Sequence, residues 1–336
     1  MAARRIGIGF DWQGSIDRER SLERVKVADQ VGVDSVWAAE AWGRDAFTLL
    51  VQAAEVTKNV QLGTSIVNIY SRTPAALAQH FGTLDELSEG RMIVGLGNSG
   101  PQVIEHFHGI PFQPAFRRMR ETVEIMQILF SGEPLNYDGE LFKLERGFTM
   151  RFETYRKKLP FYLATLNPKS VQMTAEISDG WLPVMIPIDR LKDEIDQVNG
   201  WVSAAGKDPA DFTVRAPGGV TVAHSAEQVQ KARMTQAGTL AFYCARMGDF
   251  YYRQLSRQGY EDEANAVRAA WKDGGAQAGA QALPQEMLDQ FGFVGNTEEC
   301  IARLDQEAEA GTKLHSVTVM EDDPDEMGRI LESLVG

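Results

Sequence analysis

Four stretches of the chain carry side chains whose types and spacing could do chemistry. Glu40 follows the apolar run Asp34–Ala38 (DSVWA) and is trailed by Trp42 and Arg44. An acid at the end of such a run can hydrogen-bond a ligand or move a proton; the plain alternative is that it pairs with Arg44 and does nothing more. Asn59–Pro74 (NVQLGTSIVNIYSRTP) begins apolar, turns small and polar at Gly63-Thr64-Ser65, and passes through Asn68 to Thr73-Pro74. That last pair is a hydroxyl N-cap followed by proline at the first helical position. Gly95–Gly100 (GLGNSG) is a literal GxGxxG after an apolar run. It lacks the long helix and the acid-ended strand that a dinucleotide site requires, because Pro111 breaks the chain and Glu121 falls inside a helical pattern. What remains there is a small-residue loop whose amides, with Asn98 and Ser99, can approach a flat ring or an anion closely. Leu166-Asn167-Pro168-Lys169-Ser170 opens a helix, and free amides beside a lysine and a hydroxyl suit a phosphate; a plain proline-initiated helix is equally consistent with it. His106 and His108 stand two apart with no carboxylate–histidine pair at metal spacing, so they read as local hydrogen-bonding residues and no metal site is expected.

These stretches follow strands in a repeating pattern. Apolar runs at Arg5–Phe10, Asp34–Ala38, Val60–Leu62, Met92–Gly97, Pro160–Ala164, Gly180–Met185, Phe212–Ala223 and His315–Met320 alternate with helical periodicity. The loop after the first run covers Asp11–Gly14, and Pro217-Gly218-Gly219 interrupts the seventh. In the helix over Ala115–Phe130, Phe116, Met119, Val123, Met126 and Leu129 are expected inward, with the arginines and glutamates outward. Eight strands alternating with helices is the count of a (β/α)8 TIM barrel. ADQVGVDSVW, AEISDGWLPV and AEAGTKLHSV echo one another, each running from a helix end into a strand. The expected organisation is one barrel domain over residues 1–336. A small hairpin insertion near 133–150 is marked by Asp138-Gly139, and a helical insertion lies near 225–290.

At 336 residues, 43% of them apolar and 24% charged, the chain can bury a large core. It has no run of eighteen apolar residues and no cleavable leader pattern, so a soluble, cytoplasmic protein is expected. Its two cysteines, Cys244 and Cys300, form no CxxC. A net charge of −13 works against nucleic acid and anionic membranes as partners. Attraction for a phosphate-bearing ligand must therefore be local.

Five segments, DSVWAAEAWGRDAF (34–47), LGTSIVNIYSRTPA (62–75), VGLGNSGPQVIEHFHGIPF (94–112), FYLATLNPKSVQMTAEISDGWLP (161–183) and LAFYCARMGDFYY (240–252), together resemble the luciferase-like monooxygenase superfamily. Within it they resemble the branch that uses the deazaflavin coenzyme F420. The resemblance implies a third strand ending in a bulge with a non-prolyl cis peptide at Ser65–Ile66, backing the deazaflavin ring, with Asn68 beside it. It implies ring contacts from Gly97, Asn98 and Ser99. It places the phosphate-bearing tail on Leu166, Asn167, Lys169 and Ser170, and makes Glu40 a cofactor contact and the candidate proton carrier. A homodimer is implied as well.

The departures from that branch matter. Its sugar-phosphate dehydrogenases have a histidine after the acid at the end of strand two, where this chain has Ala41, and a glutamate where it has Asn98. The expectation is therefore hydride transfer between F420 and a small organic substrate, reducing an activated C=C or C=N bond and not oxidising an alcohol. The alternatives are an FMN-dependent monooxygenase on the same barrel and a non-catalytic barrel that binds flavin or deazaflavin.

Overall fold

A computed structural model describes residues 3–12 and 17–336; the loop expected over Asp11–Gly14 lies outside the described residues beyond Trp12. In chain order the strands are β1 (Ile6–Gly9), β2 (Ser35–Ala38), β3 (Gln61–Thr64), β4 (Val67–Asn68), β5 (Met92–Gly97), β6 (Leu135–Asp138), β7 (Lys143–Phe148), β8 (Phe161–Ala164), β9 (Gly180–Trp181), β10 (Thr213–Val214), β11 (Val220–Val222), β12 (Phe293–Gly295) and β13 (His315–Val319). The β6–β7 pair is a separate antiparallel hairpin. The others form one parallel sheet in the order β10-β9-β8-β5-β3-β2-β1-β13-β11-β12, with β4 also on β5.

The sheet closes on itself. Arg215, just past β10, bridges in parallel to Leu314, just before β13. The bonds Ala216 N–H to Leu314 O (2.8 Å) and Lys313 N–H to Val214 O (2.9 Å) seal that seam. Counting β3 with β4 and β10 with β11 as single interrupted strands, and setting aside β12 beside β11, gives the eight of a (β/α)8 barrel, as the alternation of the sequence predicts. The break between β10 and β11 falls at Pro217-Gly218-Gly219, since proline cannot donate to a ladder. β12, which lies beside β11, was not expected.

Each strand presents alternate residues to the helices outside and to the barrel inside. Outward residues such as Val36, Leu62, Val94 and Leu163 join the main core with helix residues Leu50, Leu77, Phe81, Val123 and Met126. Inward residues Trp37, Ile93, Tyr162, Leu182 and Leu314 form a separate plug. Trp37 stacks on Tyr162 with ring centroids 6.1 Å apart. The plug needs glycine across from it: a Cβ at Gly63 would come within 2.4 Å of the Trp37 ring.

The helix Ala115–Ser131 departs from its expected faces at two places. Phe116 is 45% exposed, because the first turn projects past the barrel toward its mouth. Glu121 is buried; its carboxylate accepts the N–H groups of Glu140, Leu141 and Phe142 in the turn of the hairpin, at 2.8–3.2 Å. Four helices, Ala226–Arg246, Asp249–Arg257, Glu261–Gln281 and Gln285–Phe291, occupy the stretch before β12 and bury Leu240, Cys244, Leu255, Val267 and Met287 among themselves. Cys244 and Cys300 are both buried and free. Among the described residues no helix is long and apolar enough to cross a membrane.

Candidate active site

A cavity of about 610 Å³ opens over the plug, at the C-terminal ends of the strands, where barrel enzymes assemble their sites. Its walls include Glu40 after β2, Ser65 and Ile66 between β3 and β4, and Gly97, Asn98 and Ser99 at the end of β5. Leu166, Asn167 and Ser170 after β8, Arg215 after β10 and Ser316 on β13 complete them. Nine of the eleven residues singled out in the sequence thus lie on one surface. The other two do not line it. Asn68 is fully buried, and its Oδ1 accepts the N–H groups of Tyr70 (3.0 Å) and Ser71 (2.7 Å), so it shapes the turn from behind. Lys169 is exposed at the helix start.

The wall at Ser65–Ile66 arises from register. β3 pairs Gly63 with Ile93, and β4 pairs Val67 with Leu96. Between those pairs the third strand has three residues (64, 65, 66) and the fourth has two (94, 95), which is a bulge of one residue. The Ser65–Ile66 peptide is cis, as the resemblance implies. The fourth strand packs against this bulge very closely. A Cβ at Gly95 would stand 1.6 Å from the Thr64 carbonyl oxygen. Thr64 Oγ1 both donates to Gly95 O (2.6 Å) and accepts from Gly95 N–H (3.1 Å). The first glycine of GLGNSG therefore serves strand packing. Its last, Gly100, caps a helix of only six residues, Pro101–His106. Ser99 between them holds φ = +56°, an uncommon conformation for a residue with a side chain. The Asn98 Oδ1 on the cavity wall has no hydrogen-bond partner.

Glu40 pairs with Arg72, not with Arg44. Arg72 Nη1 and Nη2 reach its two carboxylate oxygens at 2.6 and 3.0 Å, and Ala46 N–H donates to Oε2 at 3.2 Å. Arg44 goes instead to Asp11 and stacks over the Trp12 ring. Arg72 also contacts Asp45. Burial pushes the Asp45 carboxyl up, but the hydroxyl and N–H of Thr48, together with Arg72, outweigh it and hold the group below the usual range.

The phosphate loop is more fully committed than its sequence suggests. Pro168 has no N–H, Asn167 Oδ1 takes the Ser170 N–H (3.0 Å), and Asn167 O takes that of Val171 (2.9 Å). The Lys169 amide is what the first turn has left for an anion. Arg257 of the helical insertion reaches the same loop, donating to Leu166 O at 3.1 Å.

Other wall residues carry no site role in the sequence reading. Arg215 donates to Ser65 Oγ and to Ser316 Oγ, each at 2.8 Å, with its guanidinium 5.0 Å from the Trp37 ring centroid. Burial alone brings it down to about 10. Alternation along Phe212-Thr213-Val214-Arg215 could have placed it inside, since Phe212 and Val214 pack outward. Phe112, Phe116, Tyr243, Phe250 and Tyr251 form an aromatic rim; burial raises both tyrosine hydroxyls. Trp42 at the edge is 52% exposed. His106 is exposed, and among the described residues His108 Nε2 is buried without a hydrogen-bond partner.

Residues 9–314 match the description of the luciferase-like monooxygenase family. A coenzyme F420-dependent oxidoreductase of Mycobacterium tuberculosis is 30% identical over 94% of this chain and 95% of its own length. A 5,10-methylenetetrahydromethanopterin reductase of Archaeoglobus fulgidus is 32% identical over 85% of each chain. The solved coenzyme F420-dependent tetrahydromethanopterin reductase of Methanopyrus kandleri superposes with a TM-score of 0.81, covering 99% of this chain and 98% of that one at 20% identity. At that identity the superposition speaks to the fold.

Proposed function

The chain belongs to the luciferase-like monooxygenase family, and on that premise we propose an oxidoreductase that passes a hydride between coenzyme F420 and a small organic substrate. The observation that carries the reading is the single cavity on which Ser65, Ile66, Asn98, Ser99 and the start of the Pro168 helix converge. It offers one face for a flat ring and one helix start for a phosphate. Asn98 Oδ1, partnerless on that wall, fits a ring N–H donor. When bound, the deazaflavin supplies the hydride chemistry. The chain supplies the rest. Ser65, Ile66 and Gly97 form a backing wall, Asn98 and Ser99 orient the ring, and Leu166, Asn167, Ser170 and the Lys169 amide hold the tail. The aromatic rim keeps water out.

Reduction of an activated C=N or C=C bond fits better than alcohol oxidation. Ala41 offers no base beside Glu40, and Glu40 itself already accepts three hydrogen bonds. The activity named for the Archaeoglobus relative, reduction of a methylene group carried on a pterin, supports the same direction. With Glu40 held by Arg72, water bound beside Glu40 is the better proton carrier of this reading, and the carboxyl itself the weaker one. A homodimer and a cytoplasmic location go with it on family resemblance.

Difference spectra during titration with F420 and with FMN test the assignment. Saturable binding of F420 with weak or no binding of FMN is the expected result. FMN binding with rapid oxygen consumption after reduction would make the chain a monooxygenase. Tight F420 binding without oxidation of the reduced coenzyme by methylene-pterin or enone substrates would make it a carrier.

A further inference from the structure

Arg215 is a half-buried cation on the cavity wall, and among the described residues no carboxylate pairs with it. Its two acceptors among the described residues are hydroxyl oxygens, Ser65 Oγ and Ser316 Oγ, and its flat side rests on Trp37. Those contacts fix its position and neutralise none of its charge. A guanidinium carries five N–H donors, so donors remain beyond these two bonds. Taking a charge out of water without an opposite charge is costly. The two hydroxyls and the Trp37 ring offset part of that cost, and an anion arriving beside it would offset more. Its link to Ser65 ties it to the same turn that forms the ring wall.

We propose that Arg215 is the counter-charge for the negative charge that a hydride adds to the ring carried in this cavity. The proposal rests on the deazaflavin reading above. A hydride is one hydrogen nucleus with two electrons, so uptake by a neutral ring adds one negative charge. Delivery to a C=N or C=C bond removes it again, with the heteroatom or second carbon taking a proton from water. A fixed cation beside the ring therefore binds the reduced form more tightly than the oxidised form. Arg215 contacts the ring's charge in this scheme and gives up no proton.

The test is an anaerobic redox titration of bound F420 in the wild type, Arg215→Met and Arg215→Lys, with separate binding titrations of oxidised F420 and thermal unfolding of each apo protein. Arg215→Met should bind oxidised F420 within about threefold of wild type and reduced F420 at least tenfold more weakly. Its midpoint potential should then fall by about 30 mV for each tenfold, the constant for a two-electron couple. Arg215→Lys should keep the potential close to wild type. Equal weakening of both redox forms would make Arg215 a packing residue and overturn the proposal. So would an unchanged potential with a raised KM for an anionic substrate, which would assign the cation to the substrate. If Arg215→Met does not fold, Arg215→Gln replaces it under the same criteria. A wild type that binds no F420 would instead remove the deazaflavin reading itself.

Discussion

The guanidinium of Arg72 closes on both carboxylate oxygens of Glu40, at 2.6 and 3.0 Å, and so fastens the loop after the second strand to the loop after the third. Glu40 N–H donates to Ile66 O (3.1 Å), adding a backbone tie between the same two loops. The side chains of Glu40 and Arg72 are only 10% and 18% exposed. This is an ion pair with little water to replace a lost partner.

Arg72→Leu is expected to destabilise the protein by about 3 kcal/mol, because it leaves Glu40 and Asp45 near one another without their cation. Urea unfolding of the apo protein measures it. A loss below about 1 kcal/mol would show that solvent screens the pair as it does at a surface.

Asp45 should make stability depend on acid. Its carboxyl sits below its usual value near 3.9 in the folded protein, so the contribution is full above that value and is lost as pH falls through the folded one. Asp45→Asn lacks that contribution. The stability gap between wild type and Asp45→Asn should narrow as pH drops from 6 to 3 at constant ionic strength; a gap that stays constant would deny Asp45 the role.

Two glycines of one motif should behave differently. Gly95→Ala would drive a Cβ onto the Thr64 carbonyl, which is backbone and cannot step aside, so a loss of about 3 kcal/mol or more is expected. Gly97→Ala would meet the Ile66 side chain at 2.8 Å, and that side chain can turn away. The second variant should fold and bind F420 several-fold more weakly. Normal binding by Gly97→Ala, measured alongside its unfolding curve, would place the ring away from Ile66.

Lys169→Ala should weaken F420 binding by up to about 1 kcal/mol, the scale of an exposed ion contact. The deficit should shrink as salt is raised from 20 to 300 mM, since exposed charges are screened. An equal affinity at low salt would leave the anion to the Lys169 amide and Arg257.

The barrel and its mouth were legible because the signals were local. Thr73-Pro74 begins a helix with the threonine side chain on Ala76 N–H, as the pair suggests. Asp45 caps the helix Ala46–Val56 in the same way. What the sequence hid depends on distant partners. Nothing near Glu40 points to Arg72, 32 positions on, whereas Arg44 stands four positions away and is the natural local choice. Phe116 follows the inward period of its helix, yet that helix outruns the barrel wall at its first turn. Arg215 is readable by alternation, but a lone arginine at a strand end more often meets water than a barrel interior. β12 is three residues long and lies beside a strand far upstream, beyond the reach of any periodic pattern.

The extra residue between Gly63 and Val67 changes the parity of the third strand. Before it, odd-numbered positions look into the barrel, as Gly63 and Ser65 do; after it, Val67 packs outward against the helices. Ser65 and Ile66 are the seam, two successive residues on the same inner wall, which an unbroken strand forbids. The stretch is therefore constrained in count as well as in composition. A substitution there alters the wall, whereas deletion of one residue would exchange inside for outside along everything that follows until the helix at Pro74.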